Sequence, residues 1–108
     1  MSPSSSSLLG NPLSLHSLAD YQAKTIVSKQ LLQKKAGTLT VFAFAKGEGL
    51  SEHTAPYDAT ILMLDGKAEV RIGGKPRKVS KGQMIILPAH IPHSVQAVER
   101  FKMLLIMI

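Results

Sequence analysis

The chain has 108 residues, 44% apolar and 19% charged, with 13 Lys and Arg against 7 Asp and Glu and no Cys. That length suits one domain with one core, and the composition excludes general disorder. Without Cys, disulfides, thiolate metal sites and cysteine nucleophiles are all excluded.

In chain order, residues 1–12 read as a Ser-rich tail closed by Asn11-Pro12, and residues 13–108 as a single domain. Segment 13–22 is open to two readings: Leu13, Leu15 and Leu18 line either a short helical turn or an extended arm. From Thr25 the pattern is all strand. Residues 25–33 form a strand, 34–37 a turn, and 37–45, β-branched and aromatic, a second strand. Residues 46–51 read as a loop with two glycines. Residues 58–65 form an apolar strand ending in Asp65-Gly66, a hairpin signal. In 67–72, Ala68, Val70 and Ile72 alternate with Lys67, Glu69 and Arg71, so one face is buried and the other wet. Gly73-Gly74 is the next turn, 75–80 an edge strand in which Pro76 forfeits a ladder bond, and Lys81-Gly82 a further turn. Residues 83–88 and 101–108 are near-continuous apolar runs. Such runs suit strands covered on both faces, which in so small a protein points to a homodimer interface as well as a core. Seven or eight short strands with regular turns imply a β-sandwich or barrel.

The formal charge of +6 favours anionic ligands or weak contact with nucleic acid or acidic lipid. The densest basic cluster, Lys75, Arg77, Lys78 and Lys81, reads as a solvated hairpin edge. None of Tyr21, Phe42, Phe44, Tyr57 and Phe101 lies within it, so a nucleic-acid partner is not expected. No run reaches the roughly 18 apolar residues that span a membrane. The N-terminus lacks the basic start and apolar stretch of a secretory signal, so a soluble cytoplasmic protein is the default expectation.

The chemistry-bearing residues are the histidines His16, His53, His90 and His93. His16, in the N-terminal arm, reads as a surface residue. His53 follows a glycine loop, and His90 and His93 flank Pro92 after an apolar strand. In a small barrel, strand ends gather at a mouth, where histidines distant in sequence meet. Taken singly, His53 is a loop cap, His93 a hydrogen-bonded barrel-mouth residue and His90 a solvent-facing one. The methionines read as core fillers. Phe42 and Phe44 share one face by parity, as core or pocket wall. There is no phosphate-cradling glycine loop and no nucleophile elbow.

Gly47 and His53, closing at Leu64-Asp65-Gly66, and then Gly82, Pro88 and His93 stand at the spacings of the two cupin motifs, and residues 37–100 resemble the cupin superfamily. The resemblance implies a small RmlC-like double-stranded β-helix, a jelly-roll barrel. A full cupin motif set offers three His and one Glu to a divalent metal. Here Ala55 stands at the second His position, Ala59 at the Glu position, His90 at the Gly of Pro-x-Gly and Ala97 at the trailing Asn. Two imidazoles alone hold a metal poorly. Among nearby carboxylates, Glu52 points away from its neighbour His53 on a strand, and Asp58 is one residue out of register. His90 is a loose third candidate. The expectation is therefore a small-molecule-binding cupin with a pocket lined by His53, His93, Ala55 and Ala59, without a tightly bound metal. The alternative is a metal-dependent enzyme of the dioxygenase or isomerase type. It would hold Fe, Mn, Ni, Zn or Cu on His53, His93 and an atypical ligand.

Overall fold

The computed structural model describes residues 8–108; the first part of the expected tail, residues 1–7, lies outside them. Eight strands follow a short 3₁₀ turn at Leu15–Ser17: β1 (Ile26–Lys34), β2 (Gly37–Phe44), β3 (Gly49–His53), β4 (Ala59–Ile72), β5 (Lys75–Ser80), β6 (Met84–Leu87), β7 (His93–Gln96) and β8 (Phe101–Met107). All pairings are antiparallel. One sheet runs β1-β2-β8-β4-β6 and the other β5-β4-β7-β3. The strands curl into the jelly-roll barrel that the motifs implied.

β4 belongs to both sheets, and this overturns the expected hairpin at Asp65-Gly66. The two strands read at 58–65 and 67–72 are one strand of 14 residues. Its first half pairs with β8 and β6, its second half with β5 and β7. The crossing point is Gly66, at φ +76°, directly after a register shift between Met63 and Asp65. A bulge bends a strand at such a point, and glycine reaches this φ without strain. The loop expected at 46–51 is shorter than its glycines suggest, because β3 begins at Gly49. The Gly73-Gly74 turn and the edge character of β5, which pairs with β4, are as read.

The C-terminal run forms β8, covered on both edges by β2 and β4. In the 83–88 run, β6 buries Leu87, while Met84 and Ile86 stand 57% and 55% exposed, and none of the described residues overlies that face.

Inside the barrel, Phe44 and Phe101 stack with centroids 4.4 Å apart, an arrangement worth about 0.5–1.5 kcal/mol beyond area burial. Met63, Met103, Ala68, Val79 and Ala97 fill the space around them. Outside, the N-terminal arm lays Leu18, Ala19 and Tyr21 over Val41, Ala43, Leu64 and Leu104. Two polar contacts fix it. The Tyr21 hydroxyl donates to Asp65 Oδ2 at 2.6 Å. The buried Lys102 ammonium donates to the His16 carbonyl at 2.7 Å. The Tyr21 hydrogen bond holds the Asp65 carboxyl below its ordinary range, and burial, with Asp65 beside it, pushes the Tyr21 phenol up.

Candidate functional site

Burial is graded along the barrel. In the row of Gly66, Phe44 and Phe101 are fully buried while Ile26 at its β1 edge is partly exposed. Beyond that row, Phe42, Leu50, Ile72, Ile85, Leu105 and Met107 pack against the core yet remain partly exposed. Ile72 shares strand parity with the buried Val70 and Leu105 with Met103, while Leu50 is placed by its buried ladder partner Val95. Solvent therefore reaches part of this inner wall.

His53 and His93 lie on this wall beside Ile72, the ladder partner of His93. They are direct cross-strand partners on β3 and β7. Simple alternation would send His53 to the face opposite Leu50. Leu50 pairs with Val95 and His53 with His93, so Ser51 and Glu52 on β3 oppose Ser94 alone on β7. This bulge turns His53 inward and leaves Ser51 and Glu52 on the outer face beside Glu69 and Arg71.

The rings meet edge to face with centroids 4.4 Å apart, and the two Nε2 atoms are 3.1 Å apart. His53 Nδ1 lies 2.8 Å from the Ser51 carbonyl and His93 Nδ1 3.3 Å from the Ile91 carbonyl. A carbonyl only accepts, so it favours the proton on Nδ1 and turns the Nε2 lone pair toward the partner ring. His53 is exposed, whereas His93 is 4% exposed. Burial, reinforced by the adjacent His53, holds the His93 imidazole below its usual pKa, against the pull of the Ile91 carbonyl.

The other predicted site residues fall as follows. Ala59 is buried between its ladder partners Leu87 and Met107. Ala55 is half-buried, and its carbonyl accepts from the His90 backbone N–H at 2.8 Å. The His90 ring is exposed on a loop, with the backbone at φ +66°. This is the glycine position of Pro-x-Gly, and the chain keeps the left-handed conformation although the side chain has changed. Asp58 Oδ1 accepts the Ala89 N–H at 2.8 Å and so anchors the loop after β6. Sequence reading missed the apolar lip. Ile72 and Leu105 read as ordinary core and Leu50 as part of a loop, and all three are half-exposed on the inner wall.

The cupin domain family profile matches residues 40–108. The chain belongs to the cupin family. Solved cupin-like structures agree. A conserved protein of unknown function from Streptococcus pyogenes is 35% identical, with TM-score 0.87 over 92% of this chain and 87% of that one. A cupin 2 conserved barrel domain protein from Leptotrichia buccalis is 45% identical, with TM-score 0.86 over 89% of this chain, which spans 47% of that one. A cupin superfamily protein from Desulfitobacterium hafniense is 30% identical, with TM-score 0.86 over 92% and 91% of the two chains. No curated protein matches.

Metal donors in this cupin are limited to the imidazole pair. A separation of 3.1 Å suits two corners of one coordination shell with bonds of about 2.0–2.1 Å. No group of three His, Cys, Asp or Glu side chains gathers among the described residues, and catalytic sites need three protein ligands. The side chains present do not fit a resident metal.

Proposed function

We propose that this cupin is a small-molecule-binding domain whose ligand lies on the partly exposed inner wall of the barrel, anchored by His53 and His93 without a resident metal. The observation that carries the reading is the partial exposure of the inward-facing Leu50, Ile72, Ile85, Leu105 and Met107 in the barrel whose wall holds the buried His93. A pocket of this make-up, mostly apolar with a few convergent polar groups, is what small ligands use. The uncharged fluorophore N-phenyl-1-naphthylamine tests it. Its emission should rise and saturate, and Leu50→Glu should weaken binding by about tenfold or more, since a charge at the lip opposes apolar transfer. Binding indifferent to Leu50→Glu would place the dye elsewhere and remove the reading. Metal analysis of the same preparation bears on the alternative. More than about a tenth of an equivalent of Fe, Mn, Ni, Zn or Cu would favour a metal-dependent enzyme, given how tightly complete sites bind.

The partner proposed for the outer face of the β1-β2-β8-β4-β6 sheet is a second copy. Its uncovered cross-strand row reads Leu32, Leu39, Ile106, Thr60 and Ile86, with Met84 exposed beside it, whereas the neighbouring row through Val41 and Leu104 lies under the N-terminal arm. The uncovered row carries no charge on a chain of formal charge +6, so two copies can meet there without opposing like charges.

A further inference from the structure

A cavity of about 740 Å³ lies at the strand crossing, away from the imidazole pair. It gathers Tyr21 of the arm, Lys46 after β2, Asp65 and Gly66 of β4, and Glu99 and Arg100 before β8. His93 pairs with Ile72, about 20 Å along β4 from Gly66. Gly66 lets the turn before β8 come close, since a methyl on it would meet the Phe101 Cα at 2.8 Å. The Glu99 N–H holds that turn by donating to the Lys67 carbonyl at 3.3 Å. Tyr21 anchors both signs of charge on one ring. Its hydroxyl donates to Asp65 Oδ2 at 2.6 Å, and the Arg100 guanidinium lies over the ring with Cζ 4.5 Å from the centroid. The two charges do not pair with each other. Among the described residues, the Arg100 and Lys46 side chains have no hydrogen-bond or ion-pair partner, and Asp65 Oδ1 accepts from none. Lys102, also over the Tyr21 ring, is buried and donates to the His16 carbonyl.

We propose that this cavity binds a free α-amino acid. The lining charges select a dipolar ligand. A simple anion would meet Asp65 and Glu99 as well as Arg100 and Lys46, and a simple cation would meet the same four groups with the signs reversed. An α-amino acid carries its carboxylate and ammonium on one carbon, so it bridges two opposite charges set on one ring. Its carboxylate takes the guanidinium fork of Arg100, with Lys46 alongside, and its ammonium takes Asp65 and Glu99. Stacking on Tyr21 sets the guanidinium plane before the ligand arrives. The Tyr21 hydrogen bond likewise sets the carboxylate of Asp65. Ala23 and Ala45 give the ligand's side chain an apolar wall. The volume falls within the range that small ligands use. This site is separate from the inner wall and does not depend on the reading proposed for it.

The probe is L-phenylalanine, compared with N-acetyl-L-phenylalanine, which lacks the ammonium, and L-phenylalaninamide, which lacks the carboxylate. Each is titrated into the full chain and followed by heteronuclear correlation NMR. L-Phenylalanine should give saturable shifts at the Lys46, Gly66 and Arg100 amides, and each analogue should bind about fivefold or more weakly. Arg100→Gln, at an exposed position, should weaken L-phenylalanine by about the same factor and leave L-phenylalaninamide unchanged. Asp65→Asn keeps an acceptor for the Tyr21 hydroxyl. It should weaken L-phenylalanine and leave the N-acetyl derivative unchanged. Equal affinity for either analogue would overturn the amino-acid class. So would the absence of saturable shifts, shifts centred on His53 and His93, or an Arg100→Gln variant that binds like the wild type. N-phenyl-1-naphthylamine binding that persists through any of these failures would leave the inner-wall reading standing.

Discussion

Gly66→Ala tests the crossing on which the barrel depends. At φ +76° an L-residue with a Cβ loses about 1–2 kcal/mol. The added methyl would also meet the Arg100 carbonyl oxygen, and the Phe101 Cα at 2.8 Å. Both belong to backbone, and Phe101 is the ladder partner of Gly66 on β8, so neither can swing aside as a side chain would. Overpacking of this kind costs about 1–3 kcal/mol. The sum, about 2–5 kcal/mol, is a large share of the 5–15 kcal/mol or so that holds a domain together. It should lower Tm by roughly 8–40 °C at about 4–8 °C per kcal/mol. Gly82→Ala is the control. Gly82 has φ +87°, and a methyl added there would meet nothing within 4 Å, so it carries the backbone cost alone. Urea unfolding of both variants followed by far-UV circular dichroism isolates the clash as their difference, about 1–3 kcal/mol. Variants that agree within about 0.5 kcal/mol would refute the claim that β4 passes too close to β8 at this point for any side chain.

The folded-state pKa of His93 lies below 6.5, so the unfolded chain takes up this proton first as pH falls. Stability from this residue is complete above pH 6.5 and declines toward the folded value. Thermal denaturation between pH 7.5 and 5 should show that decline, and His93→Gln should diminish it; an unchanged decline would assign the acid sensitivity elsewhere. His90→Gly should stabilise by about 0.5–1 kcal/mol, because His90 occupies the left-handed region at φ +66° and the relief there exceeds the entropy glycine adds to the unfolded chain. A loss in equilibrium unfolding would mean that the His90 side chain makes a contact of its own. Sedimentation equilibrium should find a dimer, and the pair Met84→Glu with Ile86→Glu should make it a monomer with little change in fold, since both side chains stand more than half exposed. A wild-type monomer at tens of micromolar would dismiss the interface.

Local pattern made much of this barrel legible. The alternation in 67–72 and the β-branched run at 37–45 became strands because their side chains suit a half-buried pleat. Motif spacing brought His53 and His93 together across 40 residues. What it missed turns on pairing between distant segments. Asp65-Gly66 carries the same local signal whether the chain reverses or bulges, and the Phe101 backbone beside it decides for the bulge. Gly49 reads as loop because glycine is poor in strands, yet it lies on a ladder with Gln96. Strand parity places Glu52 correctly on the outer face. It does not reveal that Ser51 shares that face, which is what brings Leu50 and His53 onto one inner wall.

The two alanines explain why an imidazole pair without further donors forms a coherent site. Ala59 is 3% exposed and bounded by Leu87 and Met107 on its two ladder neighbours. A carboxylate there would lie against hydrocarbon and would require a cation beside it. Ala55 likewise supplies no imidazole to help hold such a cation. A metal here and a carboxylate at position 59 would therefore depend on each other. Without the metal, a Glu at position 59 would be a buried, unpaired charge; without that Glu, the metal lacks its third protein ligand. Once both are absent, His53 and His93 no longer have a shared cation to orient them, and the backbone does it instead, through the Ser51 and Ile91 carbonyls. Those contacts keep the two Nε2 atoms aimed at each other at 3.1 Å, so the pair is oriented by the backbone alone.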